Sequence, residues 1–206
     1  MKLLGSPGSP YARKVRVVLA EKRIACDFEL IRLADPEPGI SPVNPLGKIP
    51  ALIRDVGRAV YDSAVIVDYL DAIKPAPRLI PESLDDRIEV KRWEALADGI
   101  LDAAVAISHD YILPELPDQG LAWSHANQQK KIDLGLAAME KDLGTRAFCH
   151  GQAFTLADIA GGVALGYLDH VLPRLDWRTA HPNLRRLSER LFERDSFIAT
   201  RHASTH

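Results

Sequence analysis

Apolar positions in the first third of the chain alternate between two periods. Lys2-Leu3-Leu4 has the pattern of a short strand, and it stops at the turn formers Gly5-Ser6-Pro7-Gly8-Ser9-Pro10. From Tyr11 to Lys22 the period becomes helical. Val15, Val18 and Leu19 share one face, and Arg13, Lys14, Arg16, Glu21 and Lys22 are expected to face water. Pro10 suits the first turn of that helix, where no amide donor is needed. Cys26-Asp27-Phe28-Glu29-Leu30 alternates apolar and polar residues, the pattern of a half-buried strand. Two strands joined by a helix-length crossover make a βαβ unit. Residues 35–47, rich in Pro, Gly and Asn, predict an irregular loop. Ala51-Leu52-Ile53 and Arg58-Ala59-Val60-Tyr61 flank Asp55-Val56-Gly57 and predict a hairpin. Ser63 to Ile73 then predicts a helix with Ile66, Tyr69, Leu70 and Ile73 on its apolar face.

The pattern breaks at Lys74-Pro75-Ala76-Pro77-Arg78, a linker candidate. Beyond it the periodicity is helical throughout. Trp93, Leu96, Ala97, Ile100, Leu101, Ala104 and Val105 form one stripe. Ile132, Leu136, Met139 and Leu143 form a second, and Leu156, Ile159, Ala160, Val163, Tyr167, Leu168 and Val171 a third. Each is read as core. Thr155-Leu156-Ala157-Asp158 heads the third stripe as a capping box with Asp in place of Glu. The order β-α-β-β-β-α is that of a thioredoxin-like fold. The expected organisation is α/β plus all-α: a thioredoxin-like domain over residues 1–79, then an α-helical bundle over 84–206.

Composition narrows the chemistry. The formal net charge is −2, so no global field draws the chain to nucleic acid or an anionic membrane. No apolar run approaches the ~18 residues that span a bilayer, and the N-terminus lacks the apolar region of a secretory signal. A cytoplasmic location is therefore expected. The two cysteines, Cys26 and Cys149, form no C-x-x-C and no metal-ligand spacing. The seven histidines are not read as a metal-ligand cluster, so no metal is expected. Neither a G-x-G-x-x-G nor a Walker sequence occurs, which argues against a nucleotide site.

Four segments carry more specific information: Ser9-Pro10-Tyr11-Ala12-Arg13-Lys14-Val15-Arg16, Asn44-Pro45-Leu46-Gly47-Lys48-Ile49-Pro50-Ala51-Leu52, Tyr61-Asp62-Ser63-Ala64-Val65-Ile66, and Phe154-Thr155-Leu156-Ala157-Asp158-Ile159-Ala160. Together, in this order and at this chain length, they resemble the glutathione S-transferase family, in particular its bacterial YibF-like branch. The resemblance covers nearly the whole chain. It implies a glutathione transferase with glutathione as co-substrate. The enzyme would attack a small hydrophobic electrophile or reduce a peroxide, and would act in detoxification as a homodimer.

The thiol of glutathione must ionise to react, and a free thiol has a pKa near ~8.5. Ser9 stands just ahead of the first helix, where its hydroxyl can donate to a bound thiolate and the helix start adds positive potential. The alternative for that role is Tyr11, which can also form a wall for the second substrate; a capping or turn serine is the structural reading of Ser9. By the resemblance, Ile49-Pro50 is a cis-proline turn that offers the Ile49 backbone to the cysteinyl backbone of glutathione. Asp62-Ser63 would meet the γ-glutamyl end, Ser63 taking the carboxylate and Asp62 the ammonium. Asp is shorter than the family's usual Glu or Gln there. Ser63 is also a candidate helix cap. Lys48 would face the glycyl carboxylate, and Asp98 would reach the γ-glutamyl ammonium of a dimer partner; a solvated loop lysine and a solvent-facing helix acid are the plainer readings. His109 and Tyr111 are read as surface residues or as pocket walls.

A serine at position 9, where disulfide-exchanging branches carry a cysteine, argues against a thioltransferase. Absence of a Ser-Ser-Cys run argues against a maleylacetoacetate isomerase. The competing class is a catalytically silent glutathione-transferase-like interaction or regulatory protein.

Overall fold

The computed structural model describes residues 1–35, 39–110 and 118–202. Two compact units emerge: Met1–Pro81 together with the chain from Arg194 onward, and Glu82–Glu193.

The first unit holds a three-stranded sheet in the order β2-β1-β3. Strand β1 (Lys2–Gly5) pairs in parallel with β2 (Asp27–Leu30), with Leu3 opposite Phe28, and antiparallel with β3 (Ala51–Ile53), with Leu3 opposite Leu52. Helix α1 (Pro10–Glu21) makes the crossover, and α2 (Ser63–Ile73) closes the unit. Leu3, Leu4, Ala12, Val15, Val18, Leu52, Ile66, Val67 and Leu70 are all buried, so the core lies between the sheet and these helices. Gly5 permits the close approach: a Cβ there would lie 3.0 Å from the Ala12 Cβ and 3.1 Å from the Phe28 ring.

Several local expectations change. β2 is exposed along its whole length, with Leu30 at 50%, because it is the edge strand. The second hairpin arm shrinks to one antiparallel bridge, Leu52 to Val60. On α2, Ile73 is 47% exposed and Val67 takes its place in the core. The charged face of α1 is not solvated: Arg13, Lys14 and Lys22 are buried. Partners distant in sequence cover it. Lys22 Nζ meets Asp71 Oδ1 at 2.6 Å and donates to the Lys74 and Pro77 carbonyls at 2.7 and 2.8 Å. Asp71 in turn accepts from the Leu79 and Ile80 amides. The linker is thereby fastened to α1 and α2.

From Arg194 the chain runs along α1 through a short helix, α8 (Asp195–Ile198), which follows the second unit's helices. Arg194 makes a two-pronged pair with Glu21, both contacts 2.8 Å, and Ser196 donates to the same carboxylate at 2.6 Å. Burial opposes ionisation of Glu21, but hydrogen bonds from Arg194 and Ser196 outweigh it and hold the carboxyl below its ordinary value.

The second unit is helical among its described residues. Helices α3 (Leu84–Asp110), α4 (Asp118–Leu143) and α5 (Leu156–Val171) form its main body, followed by α6 (Trp177–Ala180) and α7 (Pro182–Phe192). Trp93, Ile100, Leu101, Ile132, Leu136, Met139, Ile159, Val163 and Leu168 are buried, as their helical stripes require. No helix of the described residues is long and apolar enough to cross a membrane.

The capping box on α5 is complete. Thr155 Oγ1 accepts from the Ala157 amide at 3.3 Å, and the buried Asp158 carboxylate accepts from the Thr155 amide at 2.9 Å and the Cys149 amide at 2.8 Å. Thr155→Ala is expected to lower unfolding free energy by about 1 kcal/mol with little effect on chemistry. A urea midpoint identical to that of the unaltered protein would contradict it.

Candidate active site

Three turns of backbone in the first unit and one helix of the second place the candidate residues. The first is the loop between β1 and α1. Ser9 sits in extended conformation as the α1 N-cap, its amide bonded to the Ser6 carbonyl at 3.0 Å. Its Oγ accepts from the Ala12 amide at 3.2 Å. That is an acceptor bond, so the hydroxyl keeps its proton to give to another partner. The capping reading and the donor reading of Ser9 are thus compatible. Pro10 is buried at the first helical position and Tyr11 follows, half-buried.

The second is the turn before β3. The Ile49–Pro50 peptide is cis, as the family resemblance implies. Pro50 is buried, and Ile49 packs on Leu4, Ile31, Ile40 and Ala51. Asn44, 2% exposed, spans this turn: its Nδ2 donates to the Lys48 carbonyl at 2.7 Å and its Oδ1 accepts from the Leu46 amide at 3.1 Å. Asn44 was not singled out from sequence, although the Asn-Pro-Leu-Gly order is a recognisable turn signal. Lys48 is exposed.

The third is the junction into α2. Here the capping assignment is corrected. Asp62, not Ser63, is the N-cap, its Oδ1 accepting from the Ala64 amide at 3.0 Å. Ser63 is the first helical residue and is 3% exposed. Both residue types cap well, and the boundary moved by one position. The swap spends an Asp62 oxygen on the helix and leaves the Ser63 hydroxyl out of the cap. First-turn amides of α2 lack intrahelical acceptors and make a ready anion site.

The fourth is on α3 in the second unit, where Asp98 is half-buried. Tyr111 lies outside the described residues, and His109 is described only as part of α3.

Neither cysteine offers a competing nucleophile. Cys149 is buried, and burial followed by the Asp158 charge pushes its thiol well above the ordinary value. Cys26 is half-buried and burial raises it too. Reactive thiols need the opposite environment.

Comparison with known proteins turns this geometry into a lineage. Models of the glutathione S-transferase N-terminal and C-terminal domains match residues 3–78 and 122–190. The chain belongs to the glutathione S-transferase family. Within that family it is 36% identical to the GST-like protein YibF of Escherichia coli K12, over 97% of this chain and 98% of YibF. A solved glutathione S-transferase of Methylobacillus flagellatus, crystallised with glutathione bound, is 48% identical, covers 98% of this chain and 99% of its own, and superposes with a TM-score of 0.93. Another, from Methylobacterium radiotolerans in complex with glutathione sulfonate, is 40% identical with a TM-score of 0.91, covering 100% of this chain and 96% of its own. The thioredoxin-like first domain and helical second domain are those of the family.

Proposed function

We propose that this glutathione S-transferase family member binds glutathione and stabilises its thiolate with the Ser9 hydroxyl, for attack on a small hydrophobic electrophile or a peroxide. The observation that carries this reading is the hydrogen-bond state of Ser9. Its oxygen takes one amide of α1, and its proton is available to donate at the start of that helix. A donor at that place favours the ionised thiol, each pKa unit of lowering being worth about 1.4 kcal/mol. Tyr11, two residues on, is the second candidate for this contact.

The rest of the cleft suits the tripeptide. The Ile49 backbone, presented by the cis turn at Pro50, offers strand-like pairing to a peptide. Ser63 and the first amides of α2 fit the γ-glutamyl carboxylate, and the remaining oxygen of Asp62 fits its ammonium. Lys48 is free to swing toward the glycyl carboxylate, and Asp98 would contribute across a homodimer. The two solved relatives named above hold glutathione or its sulfonate, which supports the same ligand here. A cytoplasmic role in detoxification follows as part of this proposal.

Calorimetric titration with glutathione, followed by a panel of electrophiles and hydroperoxides, tests it. Saturable binding and turnover of at least one acceptor are expected. A chain that binds no glutathione would instead fit the silent interaction protein.

A further inference from the structure

The C-terminal segment packs along α1 and, at His202, reaches the loop that carries Ser9. Arg194 and Ser196 hold Glu21 at the far end of the helix. Phe197 comes next: the Arg13 guanidinium lies 5.6 Å from its ring centre, and Arg13 Nη2 donates to its carbonyl at 3.4 Å. The Ala199 carbonyl receives Arg16 Nη2 at 3.5 Å. Finally His202 Nδ1 lies 3.0 Å from the carbonyl oxygen of Pro7. A carbonyl only accepts, so Nδ1 carries the proton and donates it. His202 is 8% exposed, whereas Pro7 and Gly8 are exposed. A buried ring therefore grips an otherwise solvent-facing stretch two residues before Ser9.

The loop has other ties as well. Inside it, Ser9 bonds back to the Ser6 carbonyl at 3.0 Å, and the Gly8 amide reaches Ser6 Oγ at 3.3 Å. Both are local. Ser9 itself is tied to α1, its Oγ accepting from the Ala12 amide at 3.2 Å and its carbonyl from the Arg13 amide at 3.0 Å, so it is the exposed stretch ahead of Ser9 whose placement these bonds leave open. His202, anchored by a segment held along α1, fixes that stretch at the Pro7 carbonyl.

We infer that His202 is a positioning residue for the thiolate site, holding the Pro7 carbonyl so that the Ser9 hydroxyl stays aimed at the glutathione sulfur. This rests on the glutathione reading above. His202 touches no reacting atom in this scheme. It acts through the loop: its removal frees the turn that leads into Ser9, and with it the direction in which the Ser9 proton is held toward the anion.

The test is an ultraviolet titration of the thiolate of glutathione bound to the whole chain, which needs no second substrate. His202→Phe keeps a ring but removes the donor. It is expected to raise the bound thiol's pKa and reduce the thiolate fraction at neutral pH about three- to tenfold, the effect of one lost hydrogen bond. Affinity for glutathione should change less, because the remaining contacts to the tripeptide are intact. His202→Asn, whose amide can donate from nearly the place of Nδ1, is expected to recover most of the thiolate; a purely structural role would give no such recovery. Urea midpoints on all three proteins separate loss of fold from loss of aim. A wild-type thiolate signal that is unchanged in His202→Phe would overturn the inference alone. No thiolate signal in the wild type would overturn the glutathione reading, and the inference with it.

Discussion

Ser9→Ala is expected to reduce turnover with glutathione by about 10²–10³-fold, the loss seen when one preorganised donor to a developing or stored anion is removed. The physical reason lies in the dual use of the hydroxyl. Its lone pair holds the Ala12 amide, and its proton is the donor proposed for the sulfur. Alanine removes both. The lost cap should cost about 1 kcal/mol of stability, which leaves a folded protein whose activity can be measured. Two readouts therefore separate the roles: the urea midpoint reports the cap, and the pH dependence of turnover reports the thiol. In the variant the acidic limb of that profile should move toward the pKa of free thiols, near ~8.5. Tyr11→Phe is the control. Should Ser9→Ala keep the wild-type profile while Tyr11→Phe loses activity, the assignment passes to Tyr11.

The largest stability effect is expected at a residue pair with no part in the chemistry. Lys22 is fully buried, 2.6 Å from Asp71, which is itself 5% exposed. Removing one partner strands the other away from water, a change that typically costs about 3–5 kcal/mol. Against a total stability of about 5–15 kcal/mol, this is enough to unfold a sizeable fraction of the chain. The two halves of the pair are not equivalent. Lys22→Met leaves Asp71 with the Leu79 and Ile80 amides and frees only the Lys74 and Pro77 carbonyls. Asp71→Leu leaves the ammonium with two carbonyls but no counter-charge, and strands two amide donors as well, so it is expected to be the more damaging change. Equal midpoints for the two variants, or losses under about 1 kcal/mol, would show that the pair is solvated in practice.

Most of the secondary structure was legible because it rests on local periodicity. The α2 range reads directly from the sequence, and the helical stripes beyond residue 80 are buried where their spacing puts them. The Ser9 and Pro50 positions were legible because turn chemistry and a family pattern coincide there. What escaped was decided by tertiary partners. Lys22 and Asp71 are ordinary polar residues on their own helices, and nothing in their spacing reveals that they meet. Arg13 looks like part of a solvated face until the C-terminal segment is placed over α1. The exposure of β2 depends on its being an edge, which alternation cannot report. At Asp62-Ser63 two good capping residues stand side by side, and local sequence does not choose between them.

The return of the chain to α1 has a consequence for biosynthesis. Glu21 and Arg13 leave the ribosome before the helical unit Glu82–Glu193, but Arg194 and Phe197, which they meet in the folded protein, are made only after it. Domains of a nascent chain generally fold in order from the N-terminus. This one cannot: the unit that begins first must wait, with part of its first helix uncovered, until translation of the helical half is over.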